Sequence, residues 1–472
     1  MRTFDQNYID GAFVPVTGEE LVDIVDPATE EAVGQARLAN RDDARRAVEA
    51  AMHAQPAFGG TVVAERIAML ERLRASMLAH ADEILEATIT EYGGPVARAQ
   101  WVANYASQCF GDAARMLSTY AFERPVGGST VVMAPVGVSA HFAPWNSTAG
   151  TMASKLASAI AAGCVTVIKP SELSPWQAHV VARAVDAAAL PPGVVNIVTG
   201  RGVDVGAEIG THPGVAKLSF TGSTPTGKLI ARSAVDTMKR VSLALTGKSA
   251  SLLLDDADLE TALPLALGAA FMNSGQACVA GTRLLVPRAR MPDVVAGLRS
   301  AVAGLRVGDP REPDTAIGPM VSRAQYERVQ HYIRRGLDQG ATLIAGGEGR
   351  PRGIDRGWFV QPTVFADVRN DMDIAREEIF GPVLSVLPVD SEDEAVAVAN
   401  DSPYGLQAYV FSSDAPRARR VASRLQAGTV LINRVAPDLL APFGGVKQSG
   451  VGREFGVAGL EAFLEVKTVT SD

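Results

Sequence analysis

The chain has 472 residues, 47% hydrophobic and 20% charged, a globular balance that excludes a disordered or collagen-like protein. At about 150 residues per domain, this length holds roughly three units of core. Its 52 acidic against 44 basic residues leave a net charge of −8, a surface that does not draw nucleic acid or an anionic membrane. Cys109, Cys164 and Cys278 are too few for a disulfide framework and indicate a reducing, cytoplasmic setting. The first residues, MRTFDQNYIDGAF, do not read as a signal peptide. No apolar run approaches the ~18 residues of a membrane span; the nearest, residues 153–164, is short and holds Lys155.

Residues 44–54 and 62–92 carry apolar side chains at three- and four-residue spacing, which predicts helices. Gly93-Gly94-Pro95 ends the second. From residue 136 short apolar strands alternate with helices: strands at 136–142, 165–168, 194–198, 217–221 and 240–245, helices at 150–162, 176–189 and 226–233. This is the pattern of βαβ units, a parallel sheet with both faces covered. Ligands of such sheets sit beyond the carboxyl ends of the strands. A second series, with strands at 251–254, 283–286, 342–344, 383–389, 408–411 and 429–432, predicts a second α/β domain. Residues 346–357 read as an exposed loop, and the strand-like 463–471 as an element needing a partner elsewhere in the chain or in another subunit.

Chemistry-bearing residues fall at the ends of these strands. Cys278 lies among glycine, small and polar residues (Asn273-Ser-Gly-Gln-Ala-Cys-Val-Ala-Gly281), a setting for a nucleophile as well as for a small buried hydrophobe. Asn146, after Pro144-Trp145, is either a helix cap or an amide donor to an oxyanion. Lys169-Pro-Ser-Glu172 ends the next strand; its ammonium and carboxylate are solvated or hold a ribose, and Glu172 would repel a 2′-phosphate. Phe220-Thr-Gly222-Ser223 opens a helix whose free N–H groups suit an anion, whereas Gly200–Gly206 lacks the GxGxxG spacing and reads as a turn. Glu377 and Glu378 precede a turn, where the helix dipole disfavours acids.

In this order and spacing the chain resembles the aldehyde dehydrogenase superfamily over nearly its whole length. The resemblance rests on Ala143-Pro-Trp-Asn146, Lys169-Pro-Ser-Glu172, Phe220-Thr-Gly-Ser223, Gly275-Gln-Ala-Cys278, Glu378-Ile-Phe-Gly-Pro382 and Pro442-Phe-Gly-Gly-Val-Lys-Gln-Ser-Gly450 with Gly452-Arg-Glu454. It implies a Rossmann-like NAD domain (1–119 and 139–247), an α/β catalytic domain (248–447), and a small β oligomerisation element (120–138 and 448–472) of a homodimer or homotetramer. It implies Cys278 as nucleophile, with Asn146 and the Cys278 backbone N–H as oxyanion hole. Trp145, Lys169, Glu172, Gly222, Ser223, Glu378 and Phe380 would hold NAD, with no metal. The reaction implied is oxidation of a small-molecule aldehyde to its acid through a thiohemiacetal and a thioester.

Two positions depart from the family pattern. Its general-base glutamate is Ala244 here, followed by Thr246-Gly-Lys248. A methyl group cannot activate water, so deacylation is expected to be impaired. The alternatives are an engineered base deletion, another base (Glu454 and Lys155 match relay positions), transfer of the acyl group to coenzyme A, or a non-catalytic NAD-binding homologue. Second, the residue after Asn146 is commonly aromatic in the family; here Ser147, Thr151 and Ser154 share one helix face, which is either a wide polar pocket or close helix packing. With Ala277, Val279 and Phe443, that face predicts a bulky or partly polar aldehyde.

Overall fold

The computed structural model describes residues 2–471. Five short strands precede any helix: β1 (Arg2–Phe4), β2 (Gln6–Ile9), β3 (Ala12–Pro15), β4 (Leu21–Asp26) and β5 (Glu31–Arg37). None was expected from the sequence, because they are short and most of their side chains are half-exposed. Helix α1 (Arg41–Gly59) starts at Asn40, whose side chain accepts from Asp42 and Asp43 N–H while Asp43 reaches back to the Asn40 N–H. The long helix expected over 62–92 is three pieces: α2 (Val63–Ala79), α3 (Ala81–Ala87) and a π-turn (Thr88–Tyr92). The last ends at Gly93 with φ 78°. Helix α4 (Val96–Leu117) then packs on α2 and on α5 (Thr148–Ala162).

The first large sheet has eight strands in the order β22-β12-β11-β8-β9-β10-β2-β3. Its centre is parallel: β8 (Ser139–Phe142), β9 (Thr166–Lys169), β10 (Val195–Ile197), β11 (Lys217–Thr221) and β12 (Arg240–Ala244). α5, α6 (Pro175–Ala187), α7 (Ala207–Thr211) and α8 (Thr224–Ala234) are the connections. The edges are antiparallel, a departure from an all-parallel sheet: β2 pairs with β10, and β22 (Gly450–Val451) pairs with β12. The second sheet runs β15-β16-β17-β14-β13-β19-β20, from β13 (Ala250–Leu253) and β14 (Arg283–Pro287) through β15 (Thr342–Ala345), β16 (Thr363–Ala366), β17 (Val383–Val389), β19 (Gln407–Phe411) and β20 (Thr429–Ile432). Only β15 is antiparallel to its neighbour, and a separate two-stranded ladder pairs β18 (Tyr404–Gly405) with β21 (Val446–Lys447). The buried β16 was not expected; its four residues follow the loop at 346–357. That loop is held down rather than free: Arg350 pairs with Glu30 and Arg356 with Glu31.

The terminal strand β23 (Leu464–Thr470) pairs antiparallel with β7 (Ser129–Pro135), which also carries β6 (Glu123–Val126). Val126, Val466 and Val469 on this three-stranded sheet are exposed. All three cysteines are free, and no helix among the described residues is long and apolar enough to cross a membrane.

Candidate active site

The nucleophile candidate sits on a loop whose backbone is strained. Asn273, Ser274 and Gly275 take φ of 54°, 56° and 75° in succession. Such conformations cost of order 1–3 kcal/mol for each non-glycine residue and persist only where neighbours enforce them. Here Ser274 Oγ accepts from Gly318 N–H at 2.9 Å, and Gln276 Oε1 from Val321 N–H at 3.0 Å. Asn273 Nδ2 donates to Gln276 O at 3.0 Å and to Asn146 O at 3.2 Å. Gly275 is required twice: a Cβ there would lie 2.2 Å from Gly381 C, besides the positive φ.

Asn146 is no helix cap. The cap of α5 is Ser147, which makes no side-chain cap bond. Asn146 Nδ2 instead donates to Gln276 O at 2.8 Å, binding this amide to the loop two residues before Cys278. An amide has two N–H groups, so one remains for an oxyanion. The Pro144–Ser147 turn is braced by Thr148 Oγ1, which meets Pro144 O at 2.8 Å and Ser174 Oγ at 2.6 Å.

Cys278 is half-buried between Ala277 and Val279, both half-buried as well. Val279 O accepts from the Tyr409 hydroxyl at 3.0 Å. The chain at Gly247 passes so close that a Cβ there would lie 2.1 Å from Cys278 O. Burial, then the charges of Glu378 and Glu454, push the Cys278 thiol up to about 12. Burial also pushes Glu378 up to about 7, although it accepts from Gly247 N–H at 3.2 Å. Nearby Lys248 is pushed down to about 7 by burial and by Arg283, and its buried ammonium has no hydrogen-bond partner among the described residues. Ala244 ends β12, 5% exposed, with its carbonyl accepting from Gly222 N–H at 3.1 Å. Lys155, buried in α5, donates to Ser219 Oγ at 2.9 Å and pairs with Glu454.

The cofactor candidates gather at the carboxyl ends of neighbouring strands. Lys169 Nζ at the end of β9 donates to Glu172 Oε2 at 3.0 Å. Burial lowers Lys169, while Lys169 and Arg201 outweigh burial and lower Glu172. Ser223 caps α8, its side chain accepting from Thr226 N–H. Trp145 and Phe380 meet edge to face at 5.3 Å, with Phe380 held at φ 61°. This donor set fits a dinucleotide: a cation and a carboxylate for ribose hydroxyls, an 11-residue helix N-terminus for pyrophosphate, and a second carboxylate, Glu378, beside the loop of Cys278.

The expected pocket face is partly covered. Ser147 and Thr151 are half-exposed, but Ser154 is buried, donates to Thr151 O at 3.1 Å and lies against Tyr105. A Cβ on Gly150 would meet the Tyr105 ring at 2.6 Å. The small residues of α5 thus make room at Gly150 and Ser154 for an aromatic ring of α4, the close helix packing that was one of the two alternatives, while Ser147 and Thr151 stay half-exposed. Phe443 pairs with the Glu454 backbone and stacks on Phe455 at 5.7 Å. Tyr105 stacks on Trp101 at 4.8 Å and meets Phe455 edge to face at 6.3 Å. Tyr105, Cys109, Ser154, Leu439, Leu440 and Phe455 line one cavity. The rings of Trp101, Tyr105 and Phe455 were missed in the sequence. The first two follow helical spacing along α4 with Arg98 and Cys109, but no motif marks them.

A profile of the aldehyde dehydrogenase family matches residues 13–469, and the chain belongs to that family. It is 44% identical over 471 residues to a 3-succinoylsemialdehyde-pyridine dehydrogenase of a Pseudomonas species, covering 99% of each chain. A cysteine-to-alanine mutant of aldehyde dehydrogenase C from Pseudomonas syringae, solved with NAD+ and octanal, superposes with a TM-score of 0.97 at 42% identity, over 99% of this chain and 96% of that one. An aldehyde dehydrogenase of Mycobacterium tuberculosis complexed with NAD+ gives 0.95 at 36% identity, covering 100% and 99%.

Proposed function

We propose that this chain oxidises a bulky or partly polar aldehyde to its carboxylic acid with NAD, and that its acyl-enzyme is released slowly. The observation that carries the reading is the Asn146 amide fastened to the loop of Cys278 at 2.8 Å. The Cys278 thiolate adds to the carbonyl carbon, and the resulting oxyanion takes the free Asn146 N–H and the Cys278 backbone N–H. Bound NAD supplies the acceptor for the hydride leaving that carbon, so a thioester to Cys278 remains. Lys169 and Glu172 would hold the adenosine ribose, Trp145, Gly222 and Ser223 the neighbouring part, and Glu378 and Phe380 the nicotinamide end. Glu172 favours NAD over NADP, because a 2′-phosphate would meet its carboxylate.

Water must then attack the thioester, and Ala244 offers it no proton acceptor. Glu378 and Glu454 are the carboxylates whose charge reaches Cys278. The rings of Tyr105, Phe443 and Phe455 support a bulky substrate, as do relatives acting on a pyridine-bearing semialdehyde and binding octanal. The exposed valines of the β23-β7-β6 sheet support a homodimer or homotetramer assembled through residues 120–138 and 448–472. Around that element, residues 1–119 and 139–247 serve NAD and 248–447 the chemistry, in the cytoplasm.

Mixing the protein with NAD and a panel of aldehydes tests this. Expected is a burst of NADH near one per site, then slow turnover, with Ala244→Glu accelerating turnover by about 10²–10⁴-fold. Equal turnover of the two proteins would place the base elsewhere. Acceleration by coenzyme A would assign the acyl group to a thiol. No burst with any aldehyde would reject the enzyme reading in favour of a non-catalytic NAD-binding homologue.

A further inference from the structure

Arg98 stands on the third residue of α4, half-buried, with its guanidinium carbon 4.4 Å above the Trp101 ring. Its Nε is buried without a hydrogen-bond partner, and no ion pair or hydrogen bond of its side chain occurs among the described residues. Most other arginines of the chain make at least one such contact, as Arg66 does to Ala161 O at 2.8 Å and Arg72 to Ala188 O at 2.9 Å. The groups whose charges act on Arg98 are Tyr92, Tyr105 and Cys278. Burial keeps both phenols and the thiol protonated, so none supplies a counter-charge. Glu454 is engaged by Lys155.

Two sets of groups surround Arg98. Tyr92 contacts the strained loop through its hydroxyl, 3.4 Å from Asn273 O and from Gln276 Nε2. Trp101, beneath the guanidinium, stacks on Tyr105, which meets Phe455 and lines a cavity with Leu439 and Leu440. A cation over an indole face is stabilised through the ring, but its N–H donors lie in the guanidinium plane and are not satisfied by the ring. A partly desolvated guanidinium without an acceptor is costly unless something else completes it, and a carboxylate matches its fork.

We propose that Arg98 binds a carboxylate at the far end of the aldehyde, making the substrate a semialdehyde: a chain or ring bearing an aldehyde at one end and an acid at the other. The aldehyde carbon lies at Cys278, the body against Trp101 and Tyr105, and the carboxylate on Arg98. This rests on the aldehyde-oxidising reading above.

The test pairs aldehydes matched in size, 4-carboxybenzaldehyde with 4-isopropylbenzaldehyde and succinic semialdehyde with 4-methylpentanal, and reads the rate of the NADH burst at subsaturating aldehyde. Expected is faster acylation by the acid of each pair, by about tenfold or more for the better-fitting one. Arg98→Met keeps the stem over Trp101 and should abolish that preference while leaving the neutral aldehydes within about threefold; Arg98→Lys should retain part of it. Calorimetry with unreactive 4-carboxybenzyl alcohol against 4-isopropylbenzyl alcohol, on the unaltered protein, reads binding without chemistry and should favour the acid. A burst with neutral aldehydes but no preference for acids would overturn the role of Arg98 and leave the oxidation standing. Equal slowing of both members of a pair by Arg98→Met would also overturn it, assigning Arg98 to the support of the thiolate. No burst from any aldehyde would reject the oxidation itself, while calorimetry would still decide on the carboxylate.

Discussion

The Cys278 thiol is poorly ionised near neutral pH, and the largest charged contribution to this is Glu378. Glu378 titrates about 7, so its effect on the thiol depends on pH. Above pH 7 its carboxylate opposes thiolate formation; well below, it is protonated and does not. Glu378→Gln should therefore speed alkylation of Cys278 by iodoacetamide about three- to tenfold above pH 8 and leave it unchanged near pH 6, measured without NAD. A uniform change across pH would assign the effect to altered packing. The same groups show what a sequence can disclose about a site. The candidates Cys278, Asn146, Lys169 and Glu172 are legible because each stands in a short motif at or beyond a strand end or in a loop. Arg98, Trp101 and Tyr105 carry no motif, and their meaning depends on what faces them. Lys155 and Glu454 stand 299 residues apart, and only the folded chain shows their pairing.

At the level of elements, the parallel strands could be read because each is a short apolar run next to a helix. The five N-terminal strands could not, since strands of three to seven residues, most of them largely exposed or half-exposed, leave little periodic signal. The loop of Asn273–Gly275 is the element on which the site depends. Gly275→Ala forces a Cβ into the Gly381–Pro382 backbone at an unfavourable φ. We expect a loss of about 3 kcal/mol or more of stability in urea unfolding, together with loss of the NADH burst. A second element-level case is Glu91, buried on the π-turn, which accepts from Trp176 N–H at 2.9 Å and Gln177 N–H at 2.8 Å at the start of α6. Burial raises it from 4.5 to about 8. The folded state thus holds a proton that the unfolded state has released, and this contribution to stability is full below pH 4.5 and lost as pH rises through 8. Glu91→Gln should flatten the fall in melting temperature over that interval.

Across the whole molecule, the C-terminal residues return to the first sheet and its helices at several places, Glu465 on Arg240 of β12 among them. Lys155 in α5 is closed over by Glu454, and removing only the acid leaves a buried ammonium. Glu454→Gln should cost about 3–5 kcal/mol, and Lys155→Met with Glu454→Gln markedly less; additive losses in equilibrium unfolding would show that the two do not act as a pair. Another return is β22, which lies antiparallel on β12 with Gly450 so close to Leu243 O that a Cβ would be 1.8 Å away. During synthesis this has a temporal consequence. The strand that carries Ala244 emerges from the ribosome some two hundred residues before the segment that covers its edge. Until then β12 is an open edge in a growing chain, able to pair with another nascent copy. Completion of the first sheet is thus a late event, and chains released before residue 450 keep that edge bare.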